Sequence, residues 1–124
     1  MNIPKTHQAV MPYLILKNAA GFLNFVQKAF NAQVLLTTLH DDGVTIRHAE
    51  IEVDGSTIMF SEASAEFKQA NANLFVYVAD ANEAFSKATA LGATVVMPLE
   101  DKPYGRSGGV LDPYGNTWWI TAIQ

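Results

Sequence analysis

His48 and Glu50 are the residues whose types and spacing most directly suggest chemistry. They stand two positions apart in segment 44–53 (VTIRHAEIEV), in which polar and apolar side chains alternate. A period of two is typical of a half-buried strand, so both side chains should share one face. Glu50 would act as a general base if burial raised its pKa. The alternative is a carboxylate at the rim of a site, paired with Arg47 or Arg106.

A metal ion is the second chemistry open to this pair, with a third ligand supplied by His7 or His40. Because these two histidines lie in the N-terminal tail and near a predicted hairpin, we do not expect them to converge on His48 and Glu50. The sequence contains no cysteine, which excludes a thiolate zinc site, a disulfide and a catalytic thiol. The residues alone therefore leave His48 and Glu50 as catalytic candidates without an assigned metal.

The elements that must position these residues occur twice along the chain. Asn18 precedes segment 19–30, which has apolar residues at helical spacing, and Asp80, 62 positions later, precedes a second such segment. Both are expected to cap the first turn of a helix. Gly55 and Gly115, 60 positions apart, mark turns before the last strand of each repeat. The pattern predicts one α+β domain of two tandem βαβββ modules, over about 8–62 and about 73–124, joined by a connector at 63–72.

Alternation along these strands predicts a face that points away from both helices and mixes aromatic with polar side chains. Such a surface is typical of small-molecule sites, which combine apolar walls with a few polar groups. The alternative is an interface between sheets or subunits. The residues expected to bind a ligand on this face are Met11, Tyr13, Met59, Asn73, Phe75, Tyr77 and Trp119.

Tyr104 and Arg106 complete the ligand-binding candidates. They fall within residues 100–109, a glycine-containing segment that is predicted to be a loop near the mouth of the cleft. Arg106 would grip an anionic group such as a carboxylate or phosphate, or would form a structural ion pair instead.

Composition excludes several classes of partner. The formal net charge is −4 and the lysines and arginines are not clustered, which argues against nucleic-acid binding. No apolar run approaches the roughly 18 residues needed to cross a bilayer, and the first residues lack a signal-peptide pattern. A cytoplasmic protein without nucleic-acid or membrane partners is expected.

Four segments together resemble one known family. The ending LDPYGNTWWI (111–120) and the opening PYLILKNAAGFLNFVQKAFNA (12–32) resemble parts of the glyoxalase/bleomycin-resistance/dioxygenase, or vicinal-oxygen-chelate, superfamily. HAEIEVDGSTIMFSE (48–62) and KPYGRSGG (102–109) are similar to its phosphonate-operon-associated (PhnB-like) branch. The resemblance covers nearly the whole chain. It implies two βαβββ units whose curled sheets enclose a cleft, and a homodimer in which each cleft is often built from both chains.

Metal-dependent members of that superfamily carry a His, Gln or Glu at four cleft positions. The resemblance assigns those positions here to Met11, Met59, Asn73 and Trp119. Thioether sulfur is soft, an amide is a weak ligand and indole does not coordinate, so we expect no metal and no other cofactor. The expected function is metal-free binding of a small molecule in an aromatic cleft. The alternatives are a lyase- or isomerase-type enzyme that uses Glu50 and His48, with or without a relocated metal, and a structural dimer with a vestigial cleft.

Overall fold

A computed structural model describes residues 1–124. It contains the two predicted βαβββ modules, one after the other along the chain. The first module consists of β1 (Tyr13–Leu16), α1 (Ala19–Phe30), β2 (Gln33–Leu39), β3 (Ile46–Val53) and β4 (Ser56–Glu62). The second consists of β5 (Asn73–Tyr77), α2 (Ala81–Ala90), β6 (Thr94–Lys102), β7 (Gly105–Leu111) and β8 (Thr117–Ala122). The expectation of an α+β fold with two tandem βαβββ modules is confirmed.

Each module forms its own four-stranded mixed sheet. The strand orders are β1-β4-β3-β2 and β5-β8-β7-β6, and no strand of one sheet is hydrogen-bonded to a strand of the other. β1 lies parallel to β4, with Tyr13 opposite Met59, and β5 lies parallel to β8, with Phe75 opposite Trp119. The other neighbouring strands are antiparallel. The two modules therefore present equivalent residue pairs on equivalent strands.

The two helices pack against each other and against one face of the sheets, and this packing buries the core. Trp118 of β8 is the largest fully buried side chain. Its ring centroid lies 4.5 Å from that of Phe30 and 6.4 Å from that of Phe22, both on α1. A residue of the second module thus packs on the helix of the first. Because aromatic side chains bury large apolar areas, this contact stabilises the junction between the modules.

Both helices begin after the capping residues that the sequence predicts, and α1 covers the predicted segment 19–30. Asn18 accepts a hydrogen bond from the Gly21 amide at 3.0 Å, and Asp80 accepts one from the Glu83 amide at 3.0 Å. Asn31 follows α1 in the left-handed conformation, with a φ of 55°. The helices have 12 and 10 residues, and neither combines the length and apolar character needed to cross a membrane.

The prediction that residues 100–109 form a loop is wrong. They belong to β6 and β7, which are joined by a two-residue turn at Pro103 and Tyr104. This polar, glycine-rich stretch lacks the apolar alternation that usually marks a strand. Glycine has a packing role here, since a Cβ atom on Gly109 would lie 2.5 Å from the ring of Trp119 on the neighbouring strand. The glycines reflect close approach inside a sheet rather than a flexible connection.

Candidate functional site

The side of each sheet that faces away from the helices is called here the open face of that module. On the first open face, Glu50 of β3 lies between Leu36 of β2 and Met59 of β4. Tyr13 of β1 lies beyond Met59. The alternation of polar and apolar residues along β3 predicted this placement of His48 and Glu50, because successive side chains of a strand point to opposite faces.

Glu50 is a buried carboxylate held between two imidazoles. Only 7% of the residue is exposed. Its Oε1 is 2.7 Å from Nε2 of His7, and its Oε2 is 2.8 Å from Nε2 of His48. The hydrogen bonds from His48 and then His7 lower the pKa of Glu50 below its usual value, and they outweigh the opposing effect of burial. Glu50 is therefore ionised at neutral pH, and its pKa is not raised as a general base would require.

The expectation that His7 does not converge on Glu50 is wrong. The N-terminal tail lies along β4, where the Gln8 side chain donates to the Thr57 carbonyl at 2.9 Å and accepts from the Thr57 amide at 3.3 Å. The Thr57 hydroxyl also donates to the carbonyl of Thr6. These bonds hold His7 over the first open face. The tail has no periodic pattern, so only the polar residues on either side of His7 hint at this contact.

A tyrosine extends this group of side chains to the surface. The hydroxyl of Tyr13 lies 3.0 Å from Nδ1 of His48, and the two rings stack with centroids 5.6 Å apart. Tyr13 is 48% exposed. The four residues Tyr13, His48, Glu50 and His7 are called the Glu50 cluster below. Its hydrogen bonds run without a gap from the solvent-exposed phenol to the buried carboxylate.

The second open face is aromatic. Phe75 and Tyr77 are about half exposed, and their rings contact edge to face with centroids 5.2 Å apart. The indole nitrogen of Trp119 donates to Oδ1 of Asn73 at 3.2 Å. Four of the predicted ligand-binding residues therefore lie on one surface: Asn73, Phe75, Tyr77 and Trp119.

Arg106 does not share either open face. It lies opposite Ala122, a core residue on the helix side of the second sheet. Its guanidinium donates to Oδ1 of Asn82 on α2 at 2.9 Å and to Oδ1 of Asp101 at 3.0 Å. This arrangement matches the structural ion pair that was the alternative for Arg106. Tyr104 is exposed in the turn between β6 and β7.

The side chains at the four positions that the resemblance assigns to metal ligands do not fit a hard divalent cation. Met59, and Met11 just before β1, offer thioether sulfur. The amide oxygen of Asn73 already accepts from Trp119, and indole is a donor only. Elsewhere, no group of three or more His, Cys, Asp or Glu side chains is arranged to hold a metal ion. The members of the Glu50 cluster contact one another through hydrogen bonds instead.

A groove of about 460 Å³ lies where the C-terminal end of α1 meets the N-terminal end of α2. Its walls include Asn31, Asp54, Asp80 and Lys87. Tyr77 is the only predicted ligand-binding residue among them. The groove therefore meets the second open face at Tyr77 and contains none of the other predicted ligand-binding residues.

Replacing Glu50 with glutamine is expected to lower the free energy of unfolding at neutral pH by about 1–2 kcal/mol, because an amide loses charge-assisted hydrogen bonds. The pKa of Glu50 is lowered in the folded state, so its ionised form stabilises the fold above the unfolded value of 4.5. That contribution is lost as pH falls through the folded-state pKa. Urea unfolding should therefore show a difference between the two proteins that shrinks in acid.

Glu52→Gln is the matched control for this measurement, since Glu52 lies two residues along β3 on the same face and outside the Glu50 cluster. Its effect should be small at every pH. A loss in Glu50→Gln that stays constant down to strongly acidic pH would contradict the assignment of an ionised, hydrogen-bonded Glu50.

Comparison with known proteins agrees with this architecture. A family model described as the Glyoxalase/Bleomycin resistance protein/Dioxygenase superfamily matches residues 7–120. The uncharacterized protein Mb0911c of Mycobacterium bovis is 32% identical over 122 residues, with 89% of this chain and 80% of that protein covered. TioX from Micromonospora sp. ML1 superposes with a TM-score of 0.72 at 27% identity, over 94% of this chain and 97% of TioX.

A protein named PhnB has the same fold at lower sequence identity. The PhnB protein from Bacillus cereus superposes with a TM-score of 0.71 at 20% identity, over 94% of this chain and 100% of that one. At this identity the likeness concerns the fold alone. The family match spans most of the sequence, and both sheets have the expected βαβββ connections. The chain therefore belongs to the Glyoxalase/Bleomycin resistance protein/Dioxygenase superfamily.

Proposed function

We propose that this protein binds a small molecule, without a metal ion, between sheet faces lined by aromatic side chains. The observation that carries the proposal is that Tyr13, Phe75 and Tyr77 are each about half exposed on faces that the helices leave uncovered. Exposed aromatic surface of this kind is typical of contact sites for ligands or other proteins. Polar groups among the rings, such as the Asn73 amide, would orient the bound molecule.

The chemistry of the four assigned positions supports the metal-free part of the proposal. Met59 lies beside Tyr13, and Trp119 lies beside Phe75. Thioether and indole groups supply polarisable, apolar contact area. Neither group carries a negative charge that would attract a metal cation. The same positions would therefore hold the flat face of an aromatic or amphipathic molecule.

A second copy of the chain would complete the cleft. Within one chain α1 packs against α2, and the open faces lie on the sides of the sheets away from the helices. A molecule held on one open face alone would remain half in water. A twofold axis can place the first open face of one copy against the second open face of the other. The symmetry repeats this contact, so the dimer would contain two such clefts. The proposal therefore includes a homodimer with two clefts, each built from both chains.

We expect anilinonaphthalene sulfonate, an aromatic fluorescent probe, to bind the protein after dialysis against EDTA. Phe75→Ala should weaken binding roughly 3- to 10-fold, because one aromatic contact contributes about 0.5–1.5 kcal/mol beyond its area. Phe67→Ala is the matched control. Phe67 is exposed to a similar degree, at 58% against 52% for Phe75, but lies in the connector between β4 and β5.

Three outcomes would contradict parts of this proposal. Equal weakening by both substitutions would mean that the probe does not recognise the second open face. Binding that returns only when Mg²⁺ or Zn²⁺ is added would contradict the metal-free site. A monomer in sedimentation equilibrium, at protein concentrations where the probe is fully bound, would contradict the shared cleft.

A lyase- or isomerase-type enzyme is the second candidate function, favoured by the two histidines that hold Glu50. A binding protein would release each bound compound unchanged. An enzyme of this type would exchange the acidic protons of the compound with D₂O or convert it to a product. Mass spectrometry of compounds recovered after long incubation in D₂O distinguishes the two functions.

A further inference from the structure

We propose that the Tyr13 hydroxyl accepts a proton from a bound molecule while its own proton passes to His48, with Glu50 as the positioning residue. The inference deepens the proposed function and rests on it in one respect, that a ligand meets the first open face. The proposal assigns the active group to the exposed phenol and a supporting role to the buried carboxylate. This division follows from where each proton of the Glu50 cluster lies.

The proton positions in the Glu50 cluster follow from hydrogen-bond accounting. An ionised carboxylate accepts and does not donate, so His7 and His48 must each donate their Nε2 proton to Glu50. In a neutral imidazole the other nitrogen then carries a lone pair. In that neutral form of His48, Nδ1 is an acceptor, and the Tyr13 hydroxyl, 3.0 Å away, is its donor.

This arrangement places a general base behind an exposed hydroxyl. When a bound molecule gives up a proton to the oxygen of Tyr13, the phenolic proton moves to Nδ1 of His48. The electron pair of the broken bond stays on the bound molecule. The imidazolium that forms faces ionised Glu50, which stabilises its charge. His7 holds the second oxygen of Glu50 and so keeps the carboxylate from turning away.

The ligand chemistry that fits is a molecule with an acidified proton, such as a C–H group beside a carbonyl or a weakly acidic O–H. Return of the proton to a different atom is an isomerisation, and loss of a neighbouring group is an elimination. Neither needs an oxidant, a reductant or a co-reactant. The hydrogen bond to Nδ1 and the stacked ring of His48 both favour this position of the phenol.

The chain contains its own controls for an activated tyrosine. Tyr77 and Tyr104 are 56% and 54% exposed, close to the exposure of Tyr13. Tyr77 contacts the ring of Phe75, and Tyr104 lies in the β6–β7 turn. Tyr13 is the tyrosine whose hydroxyl meets an imidazole nitrogen. A difference in reactivity among the three would therefore report the acid–base partner and not access to solvent.

The test is acetylation of the full-length protein by N-acetylimidazole, with the rate at each tyrosine measured by peptide mass spectrometry. The phenolic oxygen forms a bond to the acetyl carbon, the bond from acetyl to imidazole breaks, and the phenolic proton leaves through His48 to the released imidazole. We expect Tyr13 to react roughly 100-fold faster than Tyr77 and Tyr104, at the lower end of the effect of a positioned general base. His48→Gln and Glu50→Gln should each reduce the rate at Tyr13 to that of the other two.

A low rate at Tyr114 that stays unchanged in the variants would show that the fold is retained, because Tyr114 is partly buried against Phe22 and Phe25 of the first module. The inference is overturned if Tyr13 reacts no faster than the two controls, or if its rate is the same in His48→Gln. Neither result depends on the fluorescent probe, so the acid–base inference and the ligand-binding proposal can fail separately. Fast acetylation of Tyr13 with no probe binding would support the relay and reject the aromatic cleft.

Discussion

Trp118→Ala is expected to lower the free energy of unfolding by about 3–5 kcal/mol, the range for loss of a large, fully buried aromatic side chain. Trp118 packs against Phe22 and Phe30 across the junction between the modules. Its indole nitrogen also donates to Oδ2 of Asp112 at 2.8 Å. Removal of the ring would open a cavity at the junction where the two modules pack against each other. Equilibrium unfolding in guanidinium chloride, followed by circular dichroism, measures the loss.

The neighbouring residue supplies the control for this prediction. Trp119 has the same side chain one position later, but it lies on the second open face and is partly exposed. Trp119→Ala should cost less, about 1–2 kcal/mol in stability, because the ring is partly exposed on the sheet face and its removal leaves no enclosed cavity, and it should weaken probe binding. Similar stability losses for the two variants would contradict the assignment of one tryptophan to the core and the other to the open face.

Asp112→Ala is expected to destabilise the protein by about 3 kcal/mol, because several buried donors would lose their acceptor at once. Asp112 is buried in the turn before β8. Its Oδ1 accepts from the amides of Tyr114 and Asn116 at 2.8 and 3.0 Å. Its Oδ2 accepts from the side chains of Asn116 and Trp118 at 3.2 and 2.8 Å. One carboxylate thus orders the turn and holds the core tryptophan.

Two further variants separate hydrogen bonding from other causes. Asp112→Asn keeps the size of the side chain but directs an NH₂ group at existing donors, so its loss should approach that of the alanine variant. Asp101→Ala removes an exposed carboxylate that accepts from Arg106 and Gln124. Because surface pairs contribute little, its unfolding midpoint should be unchanged. A harmless Asp112→Asn substitution would contradict the role given to this carboxylate.

Local rules account for the elements that sequence reasoning placed correctly. α1 begins after Asn18 and ends before Asn31, because capping acts between residues a few positions apart. Asp54 and Gly55 form the predicted turn between β3 and β4, with φ values of 44° and 88° that suit a two-residue hairpin. Strand alternation likewise predicted that Trp118 is buried and that Trp119 is on the other face.

Other features depend on contacts between distant segments. The side chain of Glu62, at the end of β4, accepts from the amides of Asn18 and Ala19 at 3.0 and 2.9 Å. It therefore caps α1 from 43 residues away, and no helix-start pattern includes it. The strand structure of β6 and β7 within residues 100–109 also depends on distant contacts. Their glycines are explained by the neighbouring strand and by the ring of Trp119.

By itself, the sequence determined the α+β class, the tandem repeat, the helix ends and the faces of the strands, because each depends on periodicity or on caps and turns that act over about four residues. The residue types at Met59 and Trp119, which are poor ligands for a hard metal ion, are likewise read directly from the sequence. Only the tertiary structure decided that His7 meets Glu50, a contact across 43 residues, and that Tyr13 meets His48. Such contacts arise where sheet pairing and the hydrogen bonds of the tail bring separate segments together, and the spacing of residues along the chain does not specify them.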